Sequence, residues 1–311
     1  MDWQENFKKN IHLYFGEVGD AWLENLPKLI KYCEVKWSLA MNEPYSLSIN
    51  YVAPAEMEDG RDVVIKICIP GNDFLDEVEA LKLFRDKGMV KLIDYDINNG
   101  ILILEKLLPG FTLAKVEDQD EACGIAAREM KKLITPAPKD SRLPTTKARE
   151  QNLRKQVDDH PYGVGQIDRA TMDRALRIFT YLNDTIEHKY LLHGDFHHYN
   201  ILSSGVEEWT VIDPKGLIGE IEYDLIQFML NKLPEEDAYK VIKRRCDIFT
   251  EELNLNKERL LLWGYCHTVL ATVWSVDMKD GSYNKSFLKG IRIFENLYES
   301  EFGKKQDPTS R

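Results

Sequence analysis

Nothing in this chain approaches eighteen consecutive apolar residues, so no segment reads as a membrane-spanning helix. Its beginning, MDWQENFKKNIHLYFG, has neither the apolar core nor the small-residue cleavage pattern of a secretory leader. Paired cysteines are missing as well. Cys33, Cys68, Cys123, Cys246 and Cys266 are odd in number, widely scattered and contain no C-x-x-C, which excludes a disulfide framework and suits reduced thiols acting as core filler. These absences together predict a cytoplasmic protein without a membrane partner. Positive charge is also short: Lys and Arg total 41 against 52 Asp and Glu, a net charge of −11. Nucleic-acid binding would need a basic footprint, whereas an acidic chain suits a cationic small molecule. Internal repeats and low-complexity tracts are absent too, and 311 residues suffice for one two-lobed domain or two domains with a substantial core.

What the chain does have is concentrated in residues 187 to 224, EHKYLLHGDFHHYNILSSGVEEWTVIDPKGLIGEIEYD. Leu191-Leu192 and Ile201-Leu202 are apolar flanks able to hold the polar loop His193 to Asn200 rigid, with Asp195 and Asn200 five positions apart. Trp209-Thr210-Val211-Ile212 then reads as a strand, and it delivers Asp213 into the turn Pro214-Lys215-Gly216. An acid, an amide oxygen five residues on and a second acid at the next strand end are the parts that phosphoryl transfer from a nucleotide requires. One carboxylate takes the acceptor hydroxyl's proton, and the amide and the other carboxylate supply hard oxygens for magnesium.

His-Gly-Asp-x-x-x-x-Asn followed by Ile-Asp-Pro resembles the aminoglycoside phosphotransferase branch of the protein-kinase-like fold. The longer string LLHGDFHHYNIL, with VIDPKGLIGE and YDL, is similar to the streptomycin 6-phosphotransferase and hydroxyurea kinase group, strongly over about forty residues and weakly elsewhere. The resemblance implies a two-lobed α+β fold, a five-stranded antiparallel N-lobe (1–107) and a mainly helical C-lobe (108–311), with the active site in the cleft between them. ATP and Mg2+ are the implied cofactors. In this assignment Asp195 is the base, Asn200 and Asp213 hold magnesium, and His193 braces the loop. A zinc hydrolase is the rival, because His193, Asp195, His197 and His198 crowd four possible ligands into six residues. It leaves Asn200 and Asp213 idle and finds only His267 downstream, in an apolar helical pattern.

Upstream, residues 3 to 32 show helical spacing split by Gly16 and Gly19, which predicts two short helices. Val35 to Met41, Ser46 to Ala53 and Asp62 to Ile69 read as three strands, and Val90 to Tyr95 and Gly100 to Leu107 as two more. Lys66 stands alone among the apolar residues of the third strand, so it must snorkel or meet an anion. Its assigned role is to hold nucleotide phosphates. In the following helix Glu77 borders the apolar stripe of Leu81 and Phe84 while Glu79 lines up with Lys82 and Asp86, so Glu77 is the expected partner of Lys66. The first hairpin, Asn42 to Tyr45, has no glycine, so no G-x-G-x-x-G phosphate cover exists; Ser46, Ser48 and backbone amides are the substitutes. By resemblance, Leu104 to Gly110 is a hinge where backbone groups of Glu105 and Leu107 would meet adenine.

Helical periodicity fills 118–134, 144–158, 166–189, 235–254, 257–278 and 283–302, with a frayed tail expected from Gly303 to Arg311. The run from Leu260 to Trp274 is apolar nearly all round and marks a central buried helix. Asp224 is expected to cap a helix or brace the loop. Asp224 follows Asp213 by only eleven positions, with no Ala-Pro-Glu element, so a small-molecule acceptor is favoured over a protein. A streptomycin-type aminoglycoside would need a carboxylate wall, for which Glu220, Glu222, Asp277 and Asp280 are the candidates. The alternatives are a metabolic kinase for an amino alcohol or sugar and a non-catalytic nucleotide-binding module.

Overall fold

A computed structural model describes residues 3–277 and 280–303; the expected tail beyond 303, and Met278 at the end of one expected helix, lie outside them. The chain divides into two compact units, Met1–Gly110 with Ser203–Ile212, and Phe111–Leu202 with Asp213–Arg311.

In the first unit, α1 (Glu5–Lys36) breaks at Gly16, whose φ of 55° and ψ of −137° suit only glycine, so two helices form as the glycines predict. The break uses only the first of them. Gly19 lies buried within the second helix, where an added Cβ would sit 2.7 Å from the Ile11 side chain. After α1 come β1 (Leu39–Met41), β2 (Tyr51–Met57), β3 (Asp62–Ile67), α2 (Asn72–Leu83), β4 (Leu92–Asp96) and β5 (Ile101–Glu105). The strands form one antiparallel sheet in the order β1-β2-β3-β5-β4. Alternate residues Ala53, Ala55, Val63, Ile65, Ile101 and Ile103 share a core with Phe7, Ile11, Trp22, Leu26 and Ile30 of α1.

All five strands differ from expectation at one end or both, by one or two residues in β3, β4 and β5 and by more in the first two. The first is shorter because α1 runs to Lys36, and the second is shifted from 46–53 to Tyr51–Met57. Pro54, with no N–H, reads as a stop, but here it sits within β2 opposite Val64 and its carbonyl accepts the Asn42 amide at 2.9 Å.

The second unit contains α3 (Gln119–Leu133), β6 (Thr135–Pro136), α4 (Thr146–Asp159), the hairpin of β7 (Gly163–Val164) and β8 (Ile167–Asp168), α5 (Arg169–Asp184) and β9 (Tyr190–Leu192). β10 (Ile201–Ser203) then carries the chain out, and β11 (Trp209–Val211) lies wholly in the first unit. There Val90 donates to the Val211 carbonyl and Val211 to that of Gly88, each at 2.8 Å. Back in the second unit are β12 (Leu217–Gly219), α6 (Ile221–Asp224), α7 (Ile226–Leu230), α8 (Ala238–Leu253), α9 (Lys257–Trp274) and α10 (Lys285–Phe302). Strands β12, β9 and β6 form a small antiparallel sheet.

Every residue from Leu260 to Val273 of α9 is buried, as its all-round apolar pattern requires. All five cysteines are buried thiols outside any disulfide. Among the described residues no helix is long and apolar enough to cross a membrane.

Candidate active site

Alternation along β3 places Ile65 and Ile67 in the α1 core and Lys66 on the opposite face, where α2 brings Glu77. Lys66 Nζ donates to Glu77 Oε1 at 2.6 Å and Oε2 at 2.8 Å, with both side chains buried. Glu77, rather than Glu79, is thus the partner on α2. Removing either member would take from the other, in the interior, the opposite charge it is bonded to, a loss of about 3–5 kcal/mol.

The glycine-free segment between β1 and β2 is held from α1. Gln4 Nε2 donates to the Tyr45 carbonyl and Gln4 Oε1 accepts the Leu47 amide, both at 3.0 Å, while Asn10 Nδ2 donates to the Ser48 carbonyl at 3.3 Å. Leu47 is buried beneath this clamp, and Ser46 and Ser48 on either side of it are exposed. At the other sheet end, the Glu105 N–H donates to the Lys91 carbonyl and its Oε1 accepts the Lys91 amide. The Glu105 amide is therefore occupied by the sheet and is not open to a ligand, whereas among the described residues the Leu107 backbone has no protein hydrogen bond.

In the second unit β9 runs straight into the loop carrying Asp195. Asp224 lies beneath that loop, accepting the amides of His193 at 2.6 Å and Gly194 at 2.7 Å, so it braces the loop. Burial, together with the nearby Asp195 charge, pushes its carboxyl up to about 7 against those two amides. The His193 ring is fully buried and its Nδ1 accepts the Asp195 amide at 3.1 Å, while its carbonyl accepts the amides of Lys215 and Gly216. Gly194 has a φ of 82° and Lys215 Cβ within 3.2 Å of where a side chain would begin, so both conformation and space favour glycine.

Asn200 closes a short 3-10 turn, His198–Asn200, and its Nδ2 donates to the Asp195 carbonyl at 3.0 Å. That bond turns the amide so that Oδ1 is left as an oxygen ligand. Asp213 adopts φ 60°, a left-handed conformation that costs a non-glycine residue energy. Its carboxylate is about one-third exposed, with Lys215 Nζ 3.8 Å away. An Asn oxygen and a carboxylate suit a hard cation such as magnesium.

The histidines of the loop do not converge as zinc ligands would. His198 is stacked on Phe228, with centroids 3.9 Å apart and planes at 15°, and burial plus the Arg245 charge holds its ring well below the usual range, at about 3. His197 Nδ1 accepts the Tyr199 amide at 3.2 Å. Among the described residues no group of three or more His, Cys, Asp or Glu is placed to hold a metal.

Two of the four acidic wall candidates face inward. Glu220 Oε2 accepts Arg259 Nε at 2.7 Å and Trp263 Nε1 at 2.8 Å, and Glu222 accepts the Asn256 amide while burial raises its carboxyl. Both brace α9. Asp277 and Asp280 are exposed after α9, where Asp280 accepts the Ser282 amide at 2.8 Å.

Arg245 was not singled out by motif. It is buried and, among the described residues, has no carboxylate partner, donating to the carbonyls of Phe228, Met229 and Asn231 at the end of α7, to Gln119 and to His198 Nε2. Its register with Ile242 and Phe249 on α8 was the available signal.

Residues 41–279 match the family described as aminoglycoside/hydroxyurea antibiotic resistance kinase. The chain belongs to that family. It is a phosphotransferase that uses an alcohol group as acceptor. A streptomycin 6-kinase of Streptomyces griseus is 30% identical over 277 residues, covering 86% of this chain and 87% of that protein. A hydroxyurea phosphotransferase of Kitasatospora aureofaciens is 26% identical, covering 85% and 77%. Among solved structures, a choline kinase from Streptococcus pneumoniae has a TM-score of 0.63 at 16% identity, covering 89% of this chain and 99% of that one. An aminoglycoside phosphotransferase in complex with ADP and hygromycin B has a TM-score of 0.59 at 12% identity, covering 88% and 99%. At such identities the likeness speaks for the fold, which is protein-kinase-like with a five-stranded antiparallel sheet and a mainly helical remainder.

Proposed function

We propose that this kinase transfers the γ-phosphoryl group of ATP to a hydroxyl of a cationic, streptomycin-type aminoglycoside, conferring resistance to it. The observation that carries the chemistry is Asp195, a partly exposed carboxylate on a loop whose backbone is fixed by Asp224, His193 and Asn200. Asp195 orients the acceptor hydroxyl and takes its proton as the new O–P bond forms and the bond to the ADP oxygen breaks. Lys66, held by Glu77, neutralises the α- and β-phosphates. Asn200 Oδ1 and the Asp213 carboxylate would hold Mg2+, which offsets charge on the β- and γ-phosphates. Leu107 offers backbone groups to adenine. The acceptor class rests on relatives named as streptomycin kinases and on a net charge of −11.

The test is ADP release with streptomycin, other aminoglycosides, hydroxyurea, choline and neutral sugars offered in turn. Streptomycin should be phosphorylated, and Asp195→Asn should lower kcat by about two orders of magnitude or more with nucleotide affinity little changed. Phosphorylation of an amino alcohol or sugar with no turnover of any aminoglycoside would replace the antibiotic acceptor with a metabolic one. Near-normal turnover in Asp213→Ala would remove the proposed metal site.

A further inference from the structure

His197 has no role in the scheme above, yet it touches both halves of the proposed chemistry. Its ring stands at the N-terminal cap of the turn that ends on Asn200, with Nδ1 accepting the Tyr199 amide at 3.2 Å and its own carbonyl accepting the Asn200 amide at 2.9 Å. A backbone N–H can only donate, so Nδ1 must be the acceptor and the ring proton must sit on Nε2. That Nε2 lies 3.6 Å from Asp195 Oδ1, slightly beyond hydrogen-bond length, and catalytic contacts of this kind commonly tighten when substrate binds.

We infer that His197 is a positioning residue that couples the base to the metal-holding turn: Nδ1 caps the turn presenting Asn200, and the Nε2 proton aims the Asp195 carboxylate. This rests on the roles proposed for Asp195 and Asn200. One ring does both because its two nitrogens point in different directions, and no shorter side chain spans them. With the carboxylate oxygen nearest His197 engaged by the Nε2 proton, the other is left to receive the hydroxyl proton, so the ring selects which oxygen acts as base.

Single replacements separate the two nitrogens. Asn, a good cap, puts its Oδ1 where Nδ1 was but cannot reach Asp195, whereas Gln reaches toward Asp195 with an N–H but caps poorly. With streptomycin as acceptor, His197→Ala should lower kcat by about 10- to 100-fold and raise the Mg2+ concentration for half-maximal turnover. His197→Asn should share the low kcat but keep the wild-type Mg2+ requirement. His197→Gln should recover part of kcat and keep the raised Mg2+ requirement. Nitrogen NMR of the ring reports the tautomer independently of turnover, and a proton on Nδ1 would overturn the inference. So would a wild-type kcat in the Asn and Ala variants. Asp195→Asn in the same assay distinguishes the two levels. If it retains turnover, the base assignment falls and this inference with it; if it is inactive while His197→Ala is unaffected, only the role of His197 falls.

Discussion

Asp224 is buried, yet each of its oxygens faces a backbone N–H, of His193 and of Gly194. An ionised carboxylate accepts both, whereas a protonated one turns an O–H toward a donor and loses one bond. With its carboxyl raised to about 7, the loop under Asp195 should loosen as pH falls through neutrality. We expect an acidic limb near pH 7 in kcat that is missing in Asp224→Asn, whose kcat is low at every pH because its NH2 faces an amide. Stability runs the other way. A raised folded-state value means the native protein holds this proton more tightly, so its contribution is full below about pH 4 and is lost as pH rises toward 7. Equilibrium unfolding of the two proteins between pH 5 and 8 should show a falling term in wild type that the Asn variant lacks. Glu77→Gln removes the buried carboxylate that accepts both of the Lys66 bonds described above, and should lower stability by about 3–5 kcal/mol and raise KM for ATP more than KM for the acceptor, as steady-state kinetics and urea unfolding would show. Lys66 and Glu77 were legible because a lone lysine in an apolar strand needs an anion and helical periodicity set Glu77 on the buried stripe. Glu220 was not, because its partners Arg259 and Trp263 lie about forty positions downstream and no local pattern joins them.

At the scale of elements, the long periodic helices were legible and the short ones were not. Periodicity in α9 spans several turns, whereas β6, β7, β8, α6 and α7 have two to five residues each and cannot complete a pattern. The β2 strand was displaced because a proline is read as a breaker, although an antiparallel sheet has positions where a missing N–H costs nothing. The all-round burial of α9 also constrains its packing on α10. Gly264 lets the two helices approach, since an added Cβ would lie 2.3 Å from the Phe294 ring. Gly264→Ala should therefore destabilise the protein by about 1–3 kcal/mol through overpacking, despite alanine's better helix propensity. Calorimetry should show a lower Tm, with kcat near normal well below it. A Tm equal to or above wild type would mean that α10 yields freely.

For the whole molecule, a net charge of −11 makes association with a polycationic acceptor dependent on ionic strength. With Glu220 and Glu222 turned inward, only Asp277 and Asp280 remain of the acidic wall, so the attraction should be diffuse. KM for streptomycin should rise steadily as salt is increased beyond about 0.1 M, where screening acts over roughly 10 Å, while KM for a neutral acceptor stays flat. The first unit carries one further consequence, for synthesis. Its sheet is complete at Glu105, but the Gly88 to Val90 segment waits for Val211, about a hundred residues later. A ribosome adding roughly 5–20 residues per second leaves those backbone groups unmatched for about 5–20 seconds, with a sheet already formed beside them. The nascent chain is then most open to sticking to its neighbours, so slowing translation between residues 110 and 212 should increase the insoluble fraction, and slowing it after 212 should not.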